Sequence, residues 1–198
     1  MAGALAAGCD ETRPETRSGQ SDDRRSSPAE RTTPPTASPD PLAVARRDLA
    51  AAQEGYYQAY IGAVASPGDR GRIRRLLSVY TTESPARVVM AARIKGLADR
   101  RLAGRAGPDG YYVVERVDVT SLPPRGEATT TVCTYDDGVL YDAARKGPDG
   151  QEIVVNDEIE SARTRFLWVQ QKGAWKLRGG DVVKTWEGGN RCPAKASG

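Results

Sequence analysis

Apolar residues divide the chain into unlike stretches. From Asp10 to Pro41 there is no Val, Ile, Leu, Met or aromatic residue, only Ala29 and Ala37, and six of the thirteen prolines. Such a segment cannot bury enough surface to offset its ordering entropy, so 9–41 is expected to be disordered. A helical period follows, with Leu42, Val44, Ala45, Leu49, Ala52, Tyr56, Tyr57, Tyr60 and Val64 recurring at three- and four-residue steps. Asp40 as cap, Pro41 behind it and the stop Ser66-Pro67-Gly68 bound a helix of about six turns. The same grammar predicts a short helix from about Asp69 to Val79, with Ile73, Leu76, Leu77 and Tyr80 on one face. A third is predicted from Ser84 and Pro85, carrying Val88, Val89, Ala92 and Ile94 and fading near Gly96 or Gly104.

From Gly110 the pattern becomes that of strands. Tyr111–Leu122 is rich in β-branched and aromatic residues, and Gly126–Tyr135 alternates. Asp136-Asp137-Gly138 predicts a hairpin turn into Val139–Ala144, because Asp-Gly accepts the positive φ angles of a type I′ turn. Ile159–Gln170 and Ala174–Trp186, joined at Lys172-Gly173, predict a closing hairpin. Three helices followed by five mostly antiparallel strands imply an α+β domain over 42–193, its helices packed on a curved sheet, with 194–198 a disordered tail.

Charge and composition narrow the chemistry. Outside the polar segment there are 24 basic and 19 acidic residues, a mild excess with no aromatic residues interleaved, so no nucleic-acid partner is expected. Histidine is absent, which excludes Ser-His and Cys-His nucleophiles and histidine-ligated zinc. No cofactor is implied. No run of 18 apolar residues occurs.

The cysteines are Cys9, Cys133 and Cys192, an odd count. Leu5-Ala6-Ala7-Gly8-Cys9 looks like the small-residue box that ends a bacterial lipoprotein signal, although Leu stands one residue earlier than usual. Eight residues precede Cys9, fewer than a signal needs, so 1–8 is expected to be its end, with the rest upstream. On this reading Cys9 carries the lipid (palmitate or a related acyl chain), and 9–41 is a tether of roughly 30 Å as a coil. The protein would then stand on the extracytoplasmic side of the cell membrane. Cys133 and Cys192 are left as a disulfide pair, closing a loop worth roughly 4 kcal/mol. The alternative is a buried Cys133 and a free Cys192 thiol.

The Tyr56-Tyr57-x-x-Tyr60 helix, the order of elements and the hairpin Phe166-Leu167-Trp168-Val169-Gln170-Gln171-Lys172-Gly173-Ala174-Trp175-Lys176-Leu177 resemble the NTF2-like, cystatin-like cone superfamily. More narrowly they resemble small actinobacterial lipoproteins of unknown function carrying this domain. The resemblance spans about Leu42 to Pro193 and implies a cone with a pocket, expected to involve Tyr57, Tyr60, Tyr141, Trp168 and Trp175. Its occupant would be a small apolar ligand or an envelope protein. The superfamily also includes isomerases, dehydratases and epoxide hydrolases, for which Glu115, Asp118, Tyr141 and Asp142 are the residue types an acid–base pair needs. No catalytic residue is assigned; each of these reads more simply as a solvent-facing strand residue. Accessory subunits of envelope transport or secretion assemblies are a third class with tethered cones.

Other motifs have plainer readings. Asp136-Asp137 and Asn156-Asp157-Glu158 lack calcium-loop spacing, so no metal is expected. Gly104-x-x-Gly107-x-x-Gly110 leads into a strand and reads as a linker, not a phosphate loop. Arg70, Arg72, Arg74 and Arg75 read as the wet face of the second helix, with anionic lipid headgroups as the functional alternative.

Overall fold

The structure, a computed structural model, describes residues 39–194. Cys9, the signal and tether over 1–38, and residues 195–198 of the predicted tail lie outside the described residues. Helix α1 is Pro41–Ala65, α2 Arg70–Ser78 and α3 Pro85–Asp99. Strands follow as β1 Leu102–Arg105, β2 Tyr111–Ser121, β3 Glu127–Asp136, β4 Val139–Lys146, β5 Glu152–Asn156, β6 Glu160–Gln171 and β7 Ala174–Glu187. All pair antiparallel, in two sheets ordered β1-β4-β5 and β2-β3-β6-β7. This is the α+β arrangement of helices on a curved sheet that the pattern predicts.

The helix starts follow the capping chemistry. Asp40 Oδ1 accepts from the Leu42 amide at 3.0 Å, and Asp69 Oδ1 accepts from Gly71 at 2.7 Å and Arg72 at 3.1 Å. Backbone amides on its carboxylate, then the Arg72 and Arg74 charges, hold Asp69 below the usual carboxylate range. Ser84 makes no capping bond; its hydroxyl donates to the Arg178 carbonyl at 2.6 Å and pins α3 to β7.

Helix α1 buries Ala45, Leu49, Gln53, Ala59 and Ala63 against the concave face of the larger sheet, where Ala128, Trp168, Trp175 and Leu177 complete the core. Trp168 donates its indole N–H to Thr130 Oγ1 at 3.0 Å, and Thr130 donates to Gln53 Oε1 at 2.9 Å. Three polar groups from two strands and a helix thereby satisfy one another inside the core. Register shifts in β2 at Val114/Arg116 and Val119/Ser121, and between β6 and β7 at Arg163/Thr164 and Leu167/Trp168, bend the long strands around the helices.

The structure corrects three local readings. Among the described residues there are seven strands and not five: β1 precedes and enters the supposed Gly104–Gly110 linker, and β5 occupies 152–156, where no strand is expected, ending at Asn156 of the supposed loop. Asp136-Asp137-Gly138 is a crossover between sheets, since β3 pairs with β2 and β6 while β4 pairs with β1 and β5. There the Asp136 carboxylate accepts from the Gly138 amide at 2.9 Å and Asp137 from the Asp109 amide at 2.9 Å, which bends the chain without a hairpin ladder. Helix α3 runs through Gly96 and buries Ile94 and Leu97, leaving Val88 and Val89 each 69% exposed.

On the outer face of the larger sheet Cys133 is fully buried beneath Cys192, to which it is disulfide-bonded with Cα atoms 5.5 Å apart. Cys133 alternates with the inward-facing Val132, so the bridge lies opposite the helices. Tyr111 hydroxyl donates to the Pro193 carbonyl at 3.1 Å, and Ser161 hydroxyl donates to the Gly189 carbonyl at 2.9 Å. The C-terminal segment is thus held on that face.

Candidate functional site

Between α1, α3 and the open ends of both sheets lies a cavity of about 310 Å³. Helix periodicity aims one wall: Tyr57, Tyr60, Ile61 and Val64 share a face of α1, and Arg93 and Leu97 stand one turn apart on α3. Val139 and Leu140 of β4 form the opposite wall. Gly104 is what lets α1 approach β1, since a Cβ there would lie 2.5 Å from Val64 Cγ1. The rim carries Asp136, Asn156, Glu158 and Glu160, all exposed.

Tyr57 and Tyr60 are therefore both in the wall. Burial, reinforced by the Asp136 and Glu54 charges, raises the Tyr57 phenol. Burial also raises Tyr60, with the Arg93 charge opposing it and Asp136 adding to it. Both are neutral at pH 7, hydrogen-bond donors and not bases. The Arg93 guanidinium sits 5.6 Å from the Tyr60 ring centre, and the Tyr57 ring lies 4.4 Å from that of Tyr112, whose hydroxyl donates to Glu54.

The other expected pocket residues lie elsewhere. Trp168 and Trp175 are buried in the core, and Tyr141 stands on β4 with the Arg105 guanidinium 5.9 Å from its ring centre, outside the cavity lining. The carboxylates weighed for acid–base work are occupied by arginines. Glu115 accepts a fork from Arg163, both contacts 2.7 Å, and Asp118 pairs with Arg116 at 2.6 Å. Asp142, its side chain 6% exposed, accepts from the Arg145 guanidinium at 2.7 Å and from the Ala144 and Arg145 amides. That guanidinium, then the Ala144 amide, hold its carboxyl below the usual range, the opposite of what a general acid needs. Among the described residues no group of three or more His, Cys, Asp or Glu side chains is placed to hold a metal.

Ile61, Arg93, Leu97, Leu140 and the acidic rim escape a sequence reading because the cavity is assembled from distant elements. The glycines at 104, 107 and 110 were the available signal: all three let side chains pack against backbone at its edge, Gly104 under Val64, and Gly107 and Gly110 against Asp137.

No family model and no curated protein matches the chain. Among solved structures it is similar to the intermembrane-space region of the chloroplast protein ARC6, at 15% identity and TM-score 0.46, covering 74% of this chain and 98% of that one. It is similar to a hexachlorocyclohexane dehydrochlorinase, at 9% identity and TM-score 0.41, covering 78% and 98%. It is also similar to an uncharacterised protein with a cystatin-like fold from Caulobacter vibrioides, at 16% identity and TM-score 0.36, covering 68% and 89%.

Proposed function

We propose that the protein is a lipid-anchored cell-envelope module, held at the membrane through Cys9, whose NTF2-like domain binds a small apolar ligand without transforming it. The cavity carries this reading. Its walls combine the apolar Ile61, Val64, Leu97, Val139 and Leu140 with Tyr57, Tyr60 and Arg93, while its carboxylates stand in solvent at the rim. Apolar walls carrying a few polar groups suit retention of a ligand. Carboxylate chemistry of the isomerase or dehydratase kind instead needs an acid inside the apolar space.

A neutral apolar fluorophore, N-phenyl-1-naphthylamine, tests the cavity. Saturable one-to-one binding is expected for the wild-type chain, and Ile61→Trp, which fills the space, should abolish it while the thermal midpoint is retained. No saturable binding, or binding indifferent to Ile61→Trp, would overturn the reading. The anchor has its own test: the wild-type chain should fractionate with membranes and Cys9→Ser with the soluble phase, and a soluble wild-type chain would refute it.

A further inference from the structure

We propose that the basic surface formed by α2 and the β6–β7 turn docks on the headgroups of an anionic phospholipid bilayer. Arg70, Arg72, Arg74 and Arg75 are exposed on α2, whose opposite face buries Leu76 and packs Ile73 on the core. Arg72 is engaged, with Asp69 at 3.7 Å and the Gly62 carbonyl at 3.3 Å. The guanidinium groups of Arg70, Arg74 and Arg75 have no hydrogen bond or ion pair among the described residues.

The fold joins this helix to a second source of positive charge. Tyr80 bridges to Leu177, the Thr81 amide donates to the Leu177 carbonyl at 3.0 Å, and Leu177 donates back to Val79 at 2.9 Å. Lys176 Nζ donates to the Ser78 carbonyl at 2.6 Å and Arg87 Nε to that of Leu77 at 3.3 Å. Together with Lys172 on the turn they surround a shallow basin of about 420 Å³. Arg87, Lys172 and Lys176 border this basin, and α2, whose Leu77 and Ser78 form its edge, carries Arg74 and Arg75 beside it and Arg70 and Arg72 further along; the stretches that build this surface, 66–87 and 171–177, contain only Asp69 and Glu83 as acids.

The far end of the same strand is acidic. Asp136, Glu160 and Glu187 face one another directly across β3, β6 and β7. At about 3.4 Å per residue, β6 separates this row from Lys172 by roughly 40 Å. Like charges opposed across strands are unfavourable, so the separation of sign is a property the fold maintains against local cost. A planar anionic surface would meet the basic end and repel the other. Tyr80 and Trp175 at the basic end are buried, so no exposed ring is offered for base stacking, and this favours lipid over single-stranded nucleic acid.

The membrane as source of the lipid rests on the placement proposed above; the contact itself does not. The test therefore uses the full chain as Cys9→Ser, which cannot be acylated at that position. Cosedimentation with vesicles of phosphatidylglycerol and phosphatidylcholine is expected, falling away at high salt, with none on pure phosphatidylcholine. Each neutralised cation should lower partitioning about fivefold, so Arg74→Gln, Arg75→Gln and Lys172→Gln together should lower it about a hundredfold, with unchanged far-UV circular dichroism. Neutralising Arg46, Arg100 and Arg191 removes the same net charge elsewhere and should leave partitioning intact.

No binding to the anionic vesicles, equal binding to neutral ones, or an equal loss in the control triple would overturn the proposal. So would full displacement by millimolar inorganic phosphate, which would mark the basin as a free-anion site, or equally tight binding of duplex DNA through the same three residues. Failure here leaves the Cys9 anchor to its own fractionation test.

Discussion

At the residue scale, the chain Trp168–Thr130–Gln53 decides more than its size suggests. Its hydroxyl serves two buried partners at once, so Thr130→Val, nearly isosteric, leaves the indole N–H and the amide oxygen without partners in the core. The expected loss is about 2–4 kcal/mol, read by urea unfolding, whereas Thr130→Ser keeps the hydroxyl and should cost about 1 kcal/mol for the missing methyl. Equal losses in the two variants would show that packing, not hydrogen bonding, matters there. The phenols give a second prediction. Burial raises Tyr56, Tyr57, Tyr60, Tyr80 and Tyr112 above the ordinary tyrosine value. A group whose proton is held more tightly in the folded state contributes stability in full below its unfolded pKa of about 10 and loses it as pH rises through the folded value. Absorbance at 295 nm should therefore show these five ionising together with unfolding at alkaline pH, and independent ionisation near pH 10 with native circular dichroism would contradict it.

At the scale of elements, glycine separates two kinds of position. A Cβ on Gly107 would lie 2.0 Å from Asp137 Oδ1 and 2.4 Å from the Asp137 carbonyl oxygen. Gly107→Ala should therefore cost about 1–3 kcal/mol, and truncating Asp137 should not restore it, because the carbonyl remains. Gly55, inside α1 with open space where its Cβ would be, predicts the reverse: Gly55→Ala should stabilise by roughly 0.5–1 kcal/mol. Thermal midpoints moving in the same direction would sink this distinction. The contrast also shows what was legible. Helices α1 and α2 could be read because Asp40 and Asp69 cap them through contacts two or three residues away. Strands β1 and β5 could not, being four and five residues long and defined by pairing with β4 from distant chain. Asp136-Asp137-Gly138 has hairpin chemistry, but long-range pairing carries the chain into the other sheet instead. In the same way Tyr57 and Tyr60, which the cone resemblance puts in a pocket, line the cavity from α1, while Trp168 and Trp175 of the same expected set belong to the core.

At the scale of the whole molecule, the two faces of the larger sheet are stabilised by different means. The concave face is covered by helices and buries the aromatic core. Among the described residues no helix covers the outer face, and around Cys133 its cover is the C-terminal segment, fixed by the Cys133–Cys192 bridge and by bonds from Tyr111 and Ser161. The bridge closes a loop with a sequence separation of 59, so reduction should remove about 4 kcal/mol by freeing the unfolded chain, on the chain-entropy account. For a domain of this size that corresponds to a fall in thermal midpoint of roughly 10 °C. The cavity lies on the other side of the sheet, walled by α1, α3 and β4, and among the described residues none of these bonds to the C-terminal segment. Reduction should therefore lower the midpoint while leaving naphthylamine binding at moderate temperature unchanged. Cys192→Ala should show the lower midpoint without reductant and no further response to it. A wild-type midpoint indifferent to reductant would show that the bridge does not hold the fold, and a midpoint and ligand affinity that fall together would show that the outer face supports the cavity after all.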